Sequence, residues 1–237
     1  MDKAFSPDVD TIVHICHRKW GVGSDGLILI EPSEKADFYV NFYNPDGSVS
    51  FCGNGSRCAM HFAYSEGICG SYAVFAAVDG MHTGEINGEQ ISISMRDVKG
   101  IDKSQHGFVL DTGSPHLVIE HRGVEEAPLI DQARAIRYSP EYAAKGINVN
   151  LIEEVANDTL RMRTYERGVE DETLSCGTGV TAAALVFAET HPHLNMVKVI
   201  TRGGELTVDL QRSDTRGFEK IKLSGPVKKV FSGEMEL

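Results

Sequence analysis

The fold is decided by the segment Asn44-Pro-Asp-Gly-Ser-Val-Ser-Phe-Cys52-Gly-Asn-Gly-Ser-Arg-Cys58, because its pattern recurs at Asp171-Glu-Thr-Leu-Ser-Cys176-Gly-Thr-Gly-Val180. Each copy is a polar loop followed by a cysteine and Gly-x-Gly, and then by an apolar run with helical character. A strand-like alternation of apolar residues comes further along in each half. Two copies at this long spacing predict two similar lobes rather than a solenoid, and each lobe offers one cysteine.

Each cysteine is predicted to lie where a helix begins. The first backbone N–H groups of a helix have no intrahelical partner, and the helix end carries about +0.5 of a charge, so it attracts a carboxylate. The same field favours thiolate over thiol and lowers a cysteine pKa from about 8.5 to roughly 3.5–7.5. Two such thiols facing each other predict a stereochemical inversion, in which one thiolate removes a proton from a carbon and the other thiol returns a proton from the opposite face.

Several further blocks accompany the repeat and carry a family resemblance. They are Trp20-Gly-Val-Gly-Ser-Asp-Gly26, Thr112-Gly-Ser-Pro-His116, Gly146-Ile-Asn-Val-Asn150, and Arg163-Thr-Tyr-Glu-Arg-Gly168, which leads into Ser175-Cys-Gly-Thr-Gly179. In this order they make the chain resemble the diaminopimelate epimerases from about Asp10 to the C-terminus, although Cys-Gly-x-Gly alone also occurs in proline racemases. The resemblance implies interconversion of LL- and meso-diaminopimelate, in lysine and peptidoglycan biosynthesis, without a metal, pyridoxal phosphate or any other cofactor.

The predicted fold class is α/β or α+β, because strands and helices alternate in both halves. The resemblance implies two pseudo-symmetric lobes, each a curled mixed sheet around a central helix. Residues 1–104 are expected to form the lobe that carries Cys52, joined by a C-terminal strand within residues 226–237. Residues 105–225 are expected to form the lobe that carries Cys176. The polar, glycine-flanked segment 99–107 marks the predicted boundary.

The resemblance also assigns site residues. Cys52 and Cys176 are expected to be the catalytic acid and base, accompanied by His116 and Glu166. Glu166 is expected to bind the reacting ammonium group, and Arg167 the distal carboxylate of the substrate. The other residues expected to contact the substrate are Asn44, Gly53, Asn54, Ser114, Asn148, Gly177 and Thr178. Ser114 departs from the family pattern, since many members have asparagine before Pro-His.

Each of these residues also has a structural interpretation. Cys52 and Cys176 are alternatively ordinary buried thiols, or partners in an inactivating disulfide. His116 is alternatively the cap of a strand, and Glu166 with Arg167 a solvated charge pair. The asparagines are common turn formers, and the glycines suit plain helix caps. The matching position of the two cysteines at helix starts favours the acid–base roles.

Composition excludes several partners. The net charge of −11 argues against a nucleic-acid partner, and no apolar run is long enough to span a membrane. His14-Ile-Cys-His17 fits no common zinc pattern, so no metal site is expected. The five cysteines form no regular disulfide framework, and the N-terminus does not resemble a signal peptide, which together predict a cytoplasmic protein. The resemblance further implies a homodimer with a small-molecule substrate.

The N-terminus differs from the family pattern. Family members begin with a strand that ends in Gly-x-Gly-Asn-Asp-Phe, and the chain as given is expected to lack it. Two alternatives to a diaminopimelate epimerase stay open. One is a cofactor-free racemase of the proline racemase type. The other is a non-catalytic amino-acid-binding relative that has lost this strand.

Overall fold

Both Cys-Gly-x-Gly motifs begin an α-helix in the computed structural model, which describes residues 5–236. The chain divides into two units, Met1–Ile93 with Pro226–Leu237 and Ser94–Gly225. Each unit contains a mixed sheet and one of the two cysteine-capped helices. The predicted mixed α+β class is therefore confirmed.

The elements of the first part of the chain are α1 (Val9–Cys16), β1 (Leu27–Glu31), β2 (Phe38–Tyr43), α2 (Gly53–Ser65), β3 (Tyr72–Ala77), β4 (Gly80–Asn87) and β5 (Gln90–Ser94). The strands pair in the order β1-β2-β3-β4-β5, antiparallel except for the parallel pair β2 and β3. Helix α1 starts directly after Ser6-Pro-Asp8, where the Asp8 carboxylate accepts a hydrogen bond from the Thr11 N–H at 2.8 Å and caps the helix.

The core of the first unit lies between α2 and its sheet. Met60 of α2 is fully buried, and a Cβ added at Gly84 of β4 would lie 2.7 Å from the Met60 sulfur. The helix therefore approaches the sheet as closely as a glycine permits. On β2 and β3, the rings of Phe38 and Phe75 stack with centroids 5.5 Å apart. This packing fixes the direction of α2, and with it the position of the helix start.

The elements of the second unit are β6 (Asp102–Lys103), β7 (Phe108–Asp111), β8 (Pro115–Glu120), a 3₁₀ turn (Val124–Glu126), α3 (Leu129–Arg137), β9 (Asn148–Ala156), β10 (Thr159–Glu166), β11 (Asp171–Thr173), α4 (Gly177–Thr190), β12 (Met196–Thr201), β13 (Gly204–Arg212) and β14 (Phe218–Pro226). The strands follow the order β14-β13-β12-β10-β9-β8-β7-β6, with β11 paired to β10. Helix α4 is buried on all sides from Gly177 to Ala188, which explains why this stretch has no charged residue and is mostly apolar.

Two expectations about the lobes differ from the structure. The segment 99–107 is part of a hairpin and no linker, since Asp102 pairs with Val109 and Lys103 with Phe108. Its polar and glycine content belongs to the turn of that hairpin, and the division of the chain falls earlier, before Ser94. The predicted strand within residues 226–237 is wrong for the described residues 227–236, which contain no strand. Phe231 in this segment is 70% exposed. A segment with apolar residues forms a strand only where the backbone of a partner strand pairs with it.

Candidate active site

In the first unit, Cys52 is the N-cap residue of α2, with φ −128° and ψ 112°. Its Sγ accepts a hydrogen bond from the Gly55 N–H at 3.3 Å, so the thiol occupies the place of a capping oxygen. A Cβ at position 55 would lie 2.8 Å from the Phe42 ring. Glycine is therefore required where the backbone turns its N–H toward the sulfur. The predicted position of Cys52 at a helix start is what the structure shows.

The loop before Cys52 is held together by Asn44. Its Nδ2 donates to the Ser48 carbonyl at 3.1 Å, to Ser48 Oγ at 3.0 Å and to Ser50 Oγ at 3.1 Å. Gly47 closes the turn with φ +83°, a conformation that favours glycine. Asn44 therefore acts as a turn former, and any contact with the substrate would come in addition to these bonds.

In the second unit, Cys176 is the N-cap residue of α4, with φ −110° and ψ 114°. The residue is only 9% exposed, and its Sγ lies 3.4 Å from the hydroxyl of Thr178. A Cβ at Gly179 would lie 3.2 Å from the Cys176 Cβ and 2.7 Å from the Asn150 amide oxygen. The second copy thus repeats the backbone of the first, but a neighbouring hydroxyl accompanies its sulfur.

His116 lies beside this second copy and is completely buried. Asn150 Nδ2 lies 3.2 Å from His116 Nδ1 and also donates to the Leu117 carbonyl at 3.0 Å, which fixes the orientation of the amide. Nδ1 therefore accepts, and Nε2 carries the hydrogen toward Ser114 Oγ at 2.9 Å and Thr178 Oγ1 at 3.0 Å. Burial, together with the positive charge of Arg167, lowers the pKa of His116 to about 3. The ring is neutral near pH 7 and serves as a hydrogen-bond donor.

Glu166 and Arg167 stand where β10 ends. Thr173 donates its hydroxyl to the Glu166 carboxylate. The Arg167 N–H donates to Asn148 Oδ1 at 2.9 Å, and Arg167 Nη1 donates to the Lys145 carbonyl at 2.9 Å. The guanidinium is exposed, and its Nε and Nη2 make no hydrogen bond within residues 5–236. An exposed guanidinium with open N–H groups is suited to receive a carboxylate.

The structure brings together most of the residues predicted in the second half. Asn148 Nδ2 donates to Ser114 Oγ at 3.2 Å, so the hydrogen bonds run from Asn148 through Ser114 and His116 to Thr178 and Cys176. In the first half, the predicted residues Cys52, Gly53 and Asn54 lie on the first turn of α2.

Three residues that hydrogen-bond to predicted site residues were not themselves predicted from the sequence. They are Asn150, Thr173 and Thr112, whose hydroxyl donates to the Thr178 carbonyl at 2.9 Å. A signal for Asn150 was present, because residues two apart on a strand share a face and Asn148 precedes it on β9. Thr112 and Thr173 carry no comparable signal, since their contacts depend on the approach of distant segments.

Neither a metal cluster nor a spanning helix occurs in the described part of the chain. Among residues 5–236, no group of three or more His, Cys, Asp or Glu side chains could hold a metal ion. No helix in the same range has the length and apolar character needed to cross a membrane. The five cysteines, all within this range, are free thiols.

Comparisons with known proteins agree on the family and the fold. The family model described as diaminopimelate epimerase matches residues 1–99 and 108–230. The diaminopimelate epimerase of Aquifex aeolicus (strain VF5) is 40% identical, covering 95% of this chain and 85% of its own. That of Flavobacterium psychrophilum is 39% identical, covering 93% of this chain and 87% of its own.

Two solved structures of low sequence identity show the same fold. The Bacillus anthracis phenazine biosynthesis protein of the PhzF family has a TM-score of 0.71 at 12% identity, covering 86% of this chain and 82% of its own. A probable proline racemase from Agrobacterium radiobacter K84 has a TM-score of 0.65 at 18% identity, covering 90% and 77%. At such identities the likeness concerns the fold alone. By the match of its family model and the identity of its relatives, this chain belongs to the diaminopimelate epimerase family.

Proposed function

We propose that this chain interconverts LL- and meso-diaminopimelate without a cofactor, with Cys52 and Cys176 exchanging the roles of base and acid. The observation that carries the proposal is the paired cap geometry. Both cysteines stand at the N-cap of a helix whose first turn is Gly-x-Gly, and each sulfur is held within 3.4 Å of a donor group of that turn. A substrate that presents a carboxylate and a weakly acidic α-proton matches such a setting.

The reaction proceeds in two proton transfers. A thiolate takes the α-proton, and the electron pair of the broken C–H bond is delocalised into the substrate carboxylate. The thiol of the other cysteine then gives its proton to the opposite face of the carbon and becomes the thiolate. The first-turn N–H groups of α2 and α4 stabilise the carboxylate as it gains negative charge, so they contribute most in the transition state.

His116 positions groups and does not transfer protons in this proposal. The neutral ring donates from Nε2 to Thr178 or Ser114, and Thr178 Oγ1 lies 3.4 Å from the Cys176 sulfur. A general acid–base group works best when its pKa lies near the working pH, and the pKa of His116, about 3, is far below it. The general acid–base role expected from the sequence is therefore replaced by a role in orienting the Thr178 hydroxyl.

The distal half of the substrate is assigned to Arg167, Asn148 and Asn44. Arg167 offers open N–H groups to the distal carboxylate, while Asn148 holds its backbone. At the reacting end, Glu166, hydrogen-bonded by Thr173, supplies a carboxylate for the reacting ammonium group. A homodimer, a cytoplasmic location and the absence of cofactor, metal and nucleic-acid partners stay predictions.

The test follows the α-proton of LL-diaminopimelate by proton NMR, with the reduced protein in deuterated buffer. The proposal expects the α-proton signal to disappear while the meso isomer accumulates. Cys52→Ala and Cys176→Ala should each slow formation of the meso isomer by about 10²–10⁴-fold, the range for losing a general acid or base. Cys69→Ala, at a half-buried thiol outside both caps, is the matched control and should keep full activity.

Three outcomes would overturn the proposal. Binding of diaminopimelate without exchange would identify a non-catalytic binding protein. Exchange of the proline α-proton instead would identify a racemase of the proline type. Full activity in either cysteine variant would remove the two-base mechanism.

A further inference from the structure

Arg57, on α2 one turn beyond Cys52, is a buried cation without a carboxylate partner. It is 6% exposed, its Nη2 donates to Asn54 Oδ1 at 3.0 Å, and its Nη1 lies 3.5 Å from the Gly53 carbonyl. Its Nε is buried without a hydrogen-bond partner, and none of the described residues forms an ion pair with it. The guanidinium therefore binds to the first turn of α2, the helix that Cys52 caps. No carboxylate among the described residues neutralises its charge there.

A buried arginine of the second unit shows the contrasting case. Arg163 is 9% exposed, and its Nε and Nη2 bind both carboxylate oxygens of Glu172 at 2.7 and 2.8 Å. Its Nη1 donates to three backbone carbonyls, those of Val124, Glu125 and Ala127. The Glu172 carboxylate thus neutralises the charge of this buried arginine. Arg57 lacks that compensation, and burying a charge without a partner is costly.

The field of Arg57 reaches two thiols. Burial lowers the pKa of Arg57, and interactions with Cys58 and Cys52 oppose this shift. A guanidinium stays protonated under these conditions, so its charge persists and favours an anion at the neighbouring sulfurs. Burial raises the pKa of Cys58, with Arg57 opposing it, so Cys58 remains a thiol. The sulfur at the helix start, Cys52, already receives the Gly55 N–H and is the better place for a negative charge.

The second copy of the motif has no cation at this position. Thr181 stands five residues after Cys176, as Arg57 stands five residues after Cys52, and its hydroxyl donates to the Gly177 carbonyl at 3.0 Å. That carbonyl corresponds to the Gly53 carbonyl approached by Arg57. The two copies therefore share the backbone contact and differ in charge.

We propose that Arg57 is a positioning residue that makes Cys52 the more acidic of the two thiols, so that the resting protein holds Cys52 as the thiolate and Cys176 as the thiol. The inference deepens the proposed function and rests on it for its catalytic meaning. The order of acidity, however, is measured without substrate. A protein that exchanges no α-proton could still show this order, so the two proposals fail separately.

The experiment measures alkylation of Cys52 and Cys176 by iodoacetamide between pH 5 and 10, resolved by mass spectrometry of the cysteine peptides. All variants carry Cys58→Ser, which removes the neighbouring thiol. We expect Cys52 to be alkylated with a lower pH midpoint than Cys176. Arg57→Gln should raise the Cys52 midpoint by about one unit, the lower end of the effect of a nearby opposite charge, and leave that of Cys176 unchanged. Arg18→Gln, at an exposed arginine of the same unit, removes the same charge and should leave both midpoints in place.

Arg57→Lys tests the effect of the charge separately from that of the hydrogen bonds. It is also the second variant to measure if Arg57→Gln does not fold, and circular dichroism shows whether Arg57→Gln is folded. Lysine keeps the charge but not the fork that reaches Asn54 and Gly53. We expect its Cys52 midpoint to stay close to that of the parent. A midpoint in Arg57→Lys raised by as much as one unit would overturn the proposal in favour of a purely structural arginine. So would a folded Arg57→Gln with an unchanged Cys52 midpoint, or an equal shift at both cysteines.

Discussion

Lowering the pH from 7 to 5 should weaken the fold through His116 by about 2 kcal/mol. The completely buried ring has a pKa of about 3, against an ordinary value of about 6.5 in the unfolded chain. Below pH 6.5 the unfolded chain binds a proton that the folded chain refuses. The stabilising contribution of the neutral ring is therefore fully present above pH 6.5 and is lost progressively as the pH falls toward 3. At pH 5, about 1.5 units below the unfolded value, the loss is about 2 kcal/mol at 1.36 kcal/mol per unit.

The assay is urea denaturation of the parent and of His116→Gln at pH 7 and pH 5. The free energies of unfolding are compared where the denaturant slope m is the same for both proteins and both pH values. Glutamine keeps a hydrogen-bonding side chain at this position and does not titrate. The free energy of unfolding of the parent should fall by about 2 kcal/mol more than that of the variant. The two units need not unfold in one step, and a single free energy of unfolding is then not well defined. Carbon-detected NMR of the histidine rings therefore serves as a direct check on the protonation of His116.

Among the nine histidines, the His116 signal should not titrate between pH 8 and 5. A His116 titration with a midpoint near 6.5 would refute the reasoning. An equal pH dependence of stability in the parent and in His116→Gln would refute it as well. Either result would mean that protonated imidazole is accommodated among Ser114, Thr178 and Asn150, and the acid–base role expected from the sequence would return.

Two further predictions use matched pairs of variants. Gly146→Ala would place a Cβ in collision with Arg167 Cδ and should raise KM for diaminopimelate about tenfold with a smaller change in kcat. Gly123→Ala has a similar positive φ and open space around it, so steady-state kinetics should be unchanged and only stability should fall, by about 1 kcal/mol. Arg163→Met removes one side of a buried ion pair and should cost about 3–5 kcal/mol in urea denaturation. Arg202→Met removes the half-exposed second arginine that pairs with the Glu172 carboxylate, and it should cost at most about 1 kcal/mol. Equal losses of stability in the Arg163 and Arg202 variants would contradict this account.

The helix starts were predictable from the sequence because they depend on residues close together in the chain. Asp8 caps α1 through a residue three positions away, and both cysteines occupy the N-cap position of their helices. Strand β4 was not predicted, since Gly80-Met-His-Thr-Gly-Glu-Ile-Asn87 lacks the usual apolar alternation. Its central glycine is required by the closeness of Met60, a contact from another element.

The chemistry of His116 was beyond local prediction for the same reason. Its sequence context, directly after a proline, indicates a stiff strand and says nothing about burial. The ring is neutral because β8 pairs with β9, which places Asn148 opposite His116 and Asn150 near its Nδ1, and because α4 brings Thr178 to its Nε2. A residue type can be predicted at a site, whereas its protonation state depends on what the fold packs around it.

The two copies of the motif must differ if the proposed reaction is to be efficient. A two-base epimerase is ready to act only when one cysteine is thiolate and the other is thiol. With equally acidic, independent sites, at most about half of the molecules are singly protonated, divided equally between the two arrangements. If the acidities differ by about two units, about 80% of the molecules hold one defined arrangement at the pH midway between them. In the proposed reaction the shared Gly-x-Gly turn binds the substrate carboxylate in both copies, while Arg57 in one and the uncharged Thr178 and Thr181 in the other supply the difference. Removing the Arg57 charge should therefore reduce the population ready for one direction of the reaction and increase the population ready for the other.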